Sequence, residues 1–291
     1  MPETQADVSL YSCVVQLSAV REAALPKTHG DYAEAAFLGI VGATDPALAQ
    51  SLHDLGTRKP FTVSPLRGLP VAVDGRIRVP SGQDCWLRFT LIGQPIFAAF
   101  IQRFLQSGVR PTLRIDPGEF AVTEVLATPG SHPWAGYTTA QTMLAGARTE
   151  DTAMLEFASP FSFSLGNKRI DIMPRSELIF GGLQKKWQQW CGLPLPAILE
   201  RDWLRENVLV AEWHVQSRML HYGTRLEVGS VGQVMFKIFS ADAPTRRTLD
   251  TLASFAFYAG VGRKTAQGMG QVRRLDRWAP PPVEDNDDGT D

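Results

Sequence analysis

Cysteine is scarce. Three residues in 291, Cys13, Cys85 and Cys191, are odd in number and far apart. That pattern excludes a disulfide framework and a cysteine zinc motif. Histidine is also sparse. His29, His53, His132, His214 and His221 form no HxH or HExxH pattern, and no Asp/Glu cluster outside the C-terminal tail resembles a hard-metal cage. Neither a metal nor another cofactor is expected. His214 and His221, seven apart, read as structural residues sharing a helix face. No apolar run reaches the roughly 18 residues of a membrane span. No charged–apolar leader opens at Met1. The expectation is a soluble, cytoplasmic protein with no membrane partner.

The charge is nearly balanced, with 29 Lys and Arg against 30 Asp and Glu. Five of those acids, Glu284, Asp285, Asp287, Asp288 and Asp291, sit in the final segment PPPVEDNDDGTD. Without them the body carries 29 basic against 25 acidic residues, about +4. That suits a local basic groove better than wholesale coating of nucleic acid. The proline-led acidic tail, residues 279–291, reads as disordered.

The segment FAFYAGVGRKTAQGMGQVRRL, Phe255 to Leu275, gathers Gly260, Gly262, Gly268 and Gly270 around Arg263, Lys264 and Thr265. A nucleotide P-loop needs Gly directly before Lys-Thr and another Gly five residues earlier. Arg263 and Tyr258 occupy those positions. The order fails as well. Leu249, Leu252, Ala253, Ala256 and Phe257 recur with helical period, so the predicted order is helix, glycine loop, strand. A nucleotide loop runs from strand into helix.

Along the chain, strands are predicted at Leu10–Leu17, Phe61–Ser64, Gly75–Val79, Trp86–Ile92, Pro111–Ile115, Phe120–Ala127, Met154–Phe163, Val228–Phe239 and Met269–Leu275. Helices are predicted at Asp31–Val41, Gln94–Gln106, Leu178–Trp190 and Pro244–Ala259. A further helix, Pro46–Asp54, has Asp45 as cap and a first-turn proline. Each half approximates β-α-β-β-α-β, so the fold class is α+β with two tandem ferredoxin-like domains. The expected division is residues 1–136 and 137–278, followed by the tail. The stretch from Pro194 to Gly223 carries no clear pattern. Lys185 and Lys186 are expected on a solvated helix face, and Trp134 and Tyr137 in core packing. Arg273 and Arg274, neighbours on a strand, point to opposite faces.

One histidine has suggestive company. In SLHDLGTRKPFTVSPLRG, His53 sits near the end of the Asp45-capped helix, with Arg58, Lys59 and Arg67 following. An imidazole can exchange protons near neutral pH, and a nearby cation can stabilise charge on a phosphorane.

Three segments together resemble the CRISPR-associated endoribonucleases that cut precursor repeat RNA, members of the RAMP superfamily. These are LHDLGTRKPFTVSPLRG, SHPWAGYTT and the glycine-rich segment, found in the family's order and spanning roughly residues 10 to 277. The resemblance implies tandem ferredoxin-like domains with RNA across their shared face. It also implies metal-independent attack of a ribose 2′-hydroxyl on the adjacent phosphorus, leaving a 2′,3′-cyclic phosphate and a 5′-hydroxyl. His53, in a His-x-x-Gly context, matches the catalytic histidine. Lys59 matches a charge-stabilising lysine. Tyr32 or His29 would supply the second proton transfer. The glycine loop, with Arg263, Lys264 and Thr265, and the cations Arg58 and Arg67 would hold the RNA backbone. The alternative is a RAMP-type subunit that grips repeat or guide RNA without cutting, alone or with other subunits of a CRISPR interference complex.

Overall fold

The computed structural model describes residues 7–56, 58–105 and 111–278; the acidic tail expected at 279–291 lies outside the described residues. The first half comprises β1 (Ser9–Ala19), β2 (Ala23–Pro26), α1 (Gly30–Gly42), α2 (Pro46–Asp54), β3 (Phe61–Val63), β4 (Arg76–Val79), β5 (Asp84–Ile92), α3 (Gln94–Leu105), β6 (Thr112–Ile115), β7 (Gly118–Leu126), β8 (Gly136–Thr139) and α4 (Ala140–Ala145). The second comprises β9 (Thr152–Phe161), β10 (Phe163–Gly166), β11 (Arg169–Asp171), α5 (Ser176–Trp190), α6 (Arg201–Asn207), β12 (Val208–Tyr222), β13 (Arg225–Ile238), α7 (Ala243–Ala259), a 3-10 turn (Thr265–Gln267) and β14 (Val272–Arg274).

The first sheet runs β3-β5-β1-β7-β6, and the second β12-β13-β9-β14, all antiparallel. In each half the first strand of the βαββαβ unit lies between the fourth and the third, with the second at the edge. Both halves are therefore ferredoxin-like. Strand β8 returns to pair with β1, which carries the first sheet past residue 136. We propose that the seam between the halves lies at 140–151, where α4 packs on α7.

The elements follow from local chemistry. In β9, Ala153, Leu155, Phe157, Ser159 and Phe161 are buried while the alternate residues are half-buried. That is the period-2 signature of a strand with one face on a core. Helix α2 begins where Asp45 accepts a hydrogen bond from the Leu48 N–H at 2.9 Å, with Pro46 at its first position. Helix α7 starts likewise, with the Asp242 carboxylate accepting from Thr245 N–H.

Two expectations need correction. The stretch from Pro194 to Gly223 holds α6 and the 15-residue β12. Strand β12 is a sheet edge exposed along most of its length, so burial imposes no alternation on its sequence. His214 and His221 both lie on it. Their odd separation points them to opposite faces rather than along one helix face. Lys186 is not solvated. It is buried, and its ammonium donates to the carbonyls of Ala259 at 2.6 Å and Gly260 at 3.0 Å, capping the C-terminal end of α7. Burial lowers its pKa to about 7, with the Arg58 charge adding to the effect. Lys185 is exposed as expected.

Besides apolar contacts from Leu10 and Ile92 into the second core, the halves meet through a polar seam. On β5, Leu87, Phe89 and Leu91 join the core of the first half, while Trp86, Arg88 and Thr90 share the opposite face. Arg88 is 1% exposed and, among the described residues, has no carboxylate partner. Its Nε donates to Ser12 Oγ and the Trp134 carbonyl, Nη1 to Gln271 Oε1 at 2.7 Å, and Nη2 to the Phe257 carbonyl at 2.6 Å. Its guanidinium also lies over the rings of Trp134 and Phe257. Beside it, Thr90 donates to the Tyr258 carbonyl and Gln271 to Thr62 Oγ1 and the Val63 carbonyl.

His29, just before α1, is 3% exposed. Its Nε2 accepts the Leu66 N–H at 3.0 Å, so Nδ1 carries the proton and donates to the Pro26 carbonyl at 3.1 Å. Burial holds its pKa below the usual histidine value.

Two predictions follow from these buried groups. Arg88→Met leaves four buried or part-buried acceptors without their donor and is expected to destabilise the protein by about 2–4 kcal/mol in chemical denaturation. Arg88→Lys, lacking the planar fork, is expected not to restore it. A lowered folded-state pKa at His29 means that its stabilising contribution is complete above about pH 6.5 and fades as the pH falls below it. The thermal midpoint should therefore drop between about pH 7.5 and 5.5, and His29→Gln should flatten that drop.

Candidate active site

The glycine-rich segment is a junction between the halves. Its N–H groups largely serve the protein: Gly260 donates to Ala256, Val261 to Gly270, Arg263 to Ser162, Gly268 to Val63 and Gly270 to Pro160. The glycines answer to close packing. A Cβ on Gly262 would lie 2.4 Å from the Ser162 carbonyl oxygen, and one on Gly270 would lie 2.0 Å from that of Val261. Both also have positive φ. Thr265 is buried, with its methyl group against Gly260 and Gly270. In the loop expected to hold the RNA backbone, the amides of Gly260, Gly268 and Gly270 are thus committed to carbonyls of the protein rather than left for a phosphate.

Arg263 and Lys264 are also engaged. Both pair with the buried carboxylate of Glu227, at 3.0 and 3.1 Å, and the Lys264 ammonium sits over the Tyr222 ring. Glu227 neutralises part of the charge expected to face RNA. Sequence alone gave no sign of it, because it lies in β13, far along the chain from its partners.

Helix α2 ends at Asp54 and presents an exposed His53 on its last turn. Lys59 folds back beneath it. Its ammonium lies 2.9 Å from Glu34 Oε1 and 3.4 Å from the His53 carbonyl. The other Glu34 oxygen accepts from Gln267 Nε2 at 2.8 Å. The Gln267 carbonyl, in turn, accepts from Tyr222 Oη at 2.7 Å. A chain of polar contacts thus runs from His53 through Lys59, α1 and the glycine loop to the β12–β13 hairpin. Glu34 and Gln267 carry no motif that would have disclosed them.

Other expected residues fall elsewhere. Tyr32 is two positions from Glu34 and so points roughly 160° around α1. It lines a groove with Gly39, Ala43, Arg103 and Arg114, away from the face that holds Lys59. His29 is buried with both ring nitrogens on backbone groups, which removes it as a proton donor or acceptor for a substrate. Arg58 is exposed. Arg67 is half-buried, donates to the Ala158 carbonyl, and has its pKa lowered by burial. Trp134 stacks on Phe257, as core packing requires, whereas Tyr137 is 57% exposed. Arg273 turns to Glu156 and Arg274 to Asp250 and Glu150, the opposite directions expected.

A cleft of about 920 Å³ separates the β2–β4 ribbon from the β12–β13 hairpin. Lys27, Arg67, Arg76 and Arg218 line it against one carboxylate, Asp74. At its His221 end, the His221 N–H donates to Thr28 Oγ1, two residues before α1. The cleft therefore adjoins the element that carries Glu34. Among the described residues, no group of three or more His, Cys, Asp or Glu side chains is placed to hold a metal ion, and no helix is long and apolar enough to cross a membrane.

The fold is shared with known proteins. Residues 10–145 match the profile of the CRISPR Cas6 N-terminal domain, and residues 155–272 that of the CRISPR-associated endoribonuclease Cas6. Among solved structures, a product complex of Cas6 (TTHB231) is 27% identical with a TM-score of 0.75, covering 91% of this chain and 99% of the other. Thermus thermophilus Cas6 (TTHB231) is 26% identical, with a TM-score of 0.68 and 93% and 100% of the two chains covered. A RAMP protein binding different RNA substrates shares the fold at 17% identity, with a TM-score of 0.61 and coverage of 91% and 100%. No curated protein matches the chain. With the two Cas6 profiles spanning both ferredoxin-like halves, the chain belongs to the Cas6 family of CRISPR-associated endoribonucleases, which process repeat RNA.

Proposed function

We propose that this protein is a metal-independent endoribonuclease that cuts precursor CRISPR repeat RNA to mature guide RNAs. The ribose 2′-hydroxyl attacks the adjacent phosphorus, and the bond to the 5′-oxygen breaks. The products carry a 2′,3′-cyclic phosphate and a 5′-hydroxyl. One observation carries the reading: an exposed histidine, His53, stands beside a lysine, Lys59, held by Glu34 and by the His53 carbonyl itself.

In this reading His53 takes the 2′-hydroxyl proton or donates one to the leaving oxygen. Lys59 neutralises the non-bridging phosphate oxygens, where negative charge grows in the transition state. With His29 committed to backbone groups and Tyr32 on another face, the second proton transfer falls to water or to a group on the RNA. The basic cleft, with Lys27, Arg67, Arg76 and Arg218, holds the strand by its phosphates. Support comes also from relatives: a substrate mimic complex and a histidine-to-alanine mutant of Cas6 (TTHA0078), each 25% identical to this chain. Lasting association with the cut RNA, inside an interference complex, belongs to the same proposal.

The test uses repeat RNA transcribed from an array beside the gene, with wild type and His53→Ala in excess EDTA. The expected outcome is one cut leaving a cyclic phosphate, slowed by about 10²–10⁴-fold in the variant with binding retained. Unchanged cleavage by His53→Ala would move the acid–base role elsewhere. Tight binding without cleavage by wild type would make the protein an RNA-holding subunit. Affinity should also fall steeply with salt, a straight line of log K against log salt; a flat line would remove the basic cleft from the grip.

A further inference from the structure

Where the open faces of the two sheets converge, a small pocket of about 160 Å³ continues from the basic cleft, sharing Arg67 and Ala158 with it. Its walls are Arg67, Trp86, Arg88, Trp134, Glu156 and Arg273. Trp86 and Arg88 lie two apart on β5, and Arg273 on β14 pairs in register with Glu156 on β9. Both sheets therefore contribute, and the pocket exists only where the halves are docked.

The donors and acceptors are distributed unevenly. Arg88, the floor, has its guanidinium committed to Ser12, Trp134, Gln271 and Phe257. It supplies charge rather than a further grip. Arg67 uses one N–H group, on the Ala158 carbonyl, and Arg273 uses only Nε, on Glu156 Oε2. Among the described residues, each retains guanidinium N–H groups without a partner at the pocket. Among the described residues Glu156 Oε1 accepts no hydrogen bond. Trp86 is half-buried and braced edge-on by His132, with ring centroids 4.8 Å apart.

A carboxylate beside arginines and an indole does not suit a phosphate, which the carboxylate would repel. The volume is well below the roughly 300 Å³ at which ordinary ligand pockets begin. It suits one planar base. Guanine alone among the RNA bases offers donors N1–H and N2–H₂ on one edge and acceptors O6 and N7 on the other. We propose that this pocket binds one unpaired guanine of an RNA strand lying in the cleft. Glu156 accepts from N1–H and N2–H₂, Arg67 or Arg273 donates to O6 and N7, and Trp86 stacks on the ring. Adenine would set its N1 lone pair against the carboxylate. The inference rests on the reading of the cleft as an RNA groove.

Fluorescence anisotropy of labelled RNA octamers on the full chain tests it. The probes are oligouridine, and oligouridine with one central guanine, adenine or inosine. Wild type is expected to bind the guanine octamer about tenfold or more tighter than the adenine one. Inosine, lacking the 2-amino group, should fall between. Glu156→Gln should abolish the preference of guanine over adenine, and Trp86→Leu should weaken both purine octamers toward oligouridine. Equal affinity for the guanine and adenine octamers in wild type would overturn the proposal. So would a guanine preference unchanged in Glu156→Gln. Guanosine monophosphate bound as tightly as the guanine octamer would overturn the RNA assignment and make this a free-nucleotide site. Cleavage of repeat RNA, followed in parallel, separates the two readings: intact cleavage without base preference sinks this inference alone.

Discussion

The arrangement depends on burying a guanidinium that, among the described residues, meets neutral acceptors and no carboxylate. Removing Arg88 from water is costly unless its donors find acceptors, and the seam supplies them from both halves: Ser12 and the Trp134 carbonyl on one side, Phe257 and Gln271 on the other. Burial lowers its pKa to about 9, so it remains charged at neutral pH. A loose or shifted interface would strand several of these groups at once. Neutral acceptors with fixed positions therefore set how the two sheets face each other, and with that the shape of the cleft between them.

The same seam explains where the sequence was easy to read. Strands with one face on an apolar core, such as β9, alternate so regularly that pattern alone places them. Capped helices such as α2 and α7 declare their starts through Asp45-Pro46 and Asp242. Legibility fails where burial stops sorting residues. Strand β12 is exposed along most of its length, and β2, β10 and β11 are only three or four residues long. Lys186 shows the opposite failure. A lysine in a helix normally reads as a surface charge, and nothing local reveals that this one ends beneath the last turn of α7.

The site divides in the same way. His53 and Lys59 lie six apart on one local segment, so a motif could find them together. Glu34 and Gln267 reach that pair from a separate helix and from the far end of the chain. Glu227 meets Arg263 and Lys264 only because a hairpin folds over the glycine loop. Tyr32, matched by the resemblance to a tyrosine of the first helix, and the nearby His29 do not join His53 and Lys59, because Tyr32 turns to another face of α1 and His29 is spent on backbone groups. Long-range polar contacts leave no periodicity, and single residues in them look like ordinary surface positions.

The glycine-rich segment draws a line between recognising a lineage and recognising an enzyme. Gly262 and Gly270 are dictated by carbonyl oxygens pressed close to their α-carbons, a demand of architecture that persists whatever becomes of the chemistry at α2. A descendant that lost His53 would be under the same pressure to keep those glycines. It would carry the segment unchanged and be gathered with active nucleases by any search keyed to it. The glycines certify the scaffold. On the proposed function, it is the short stretch from His53 to Lys59 that separates a copy that cuts from one that only keeps the fold.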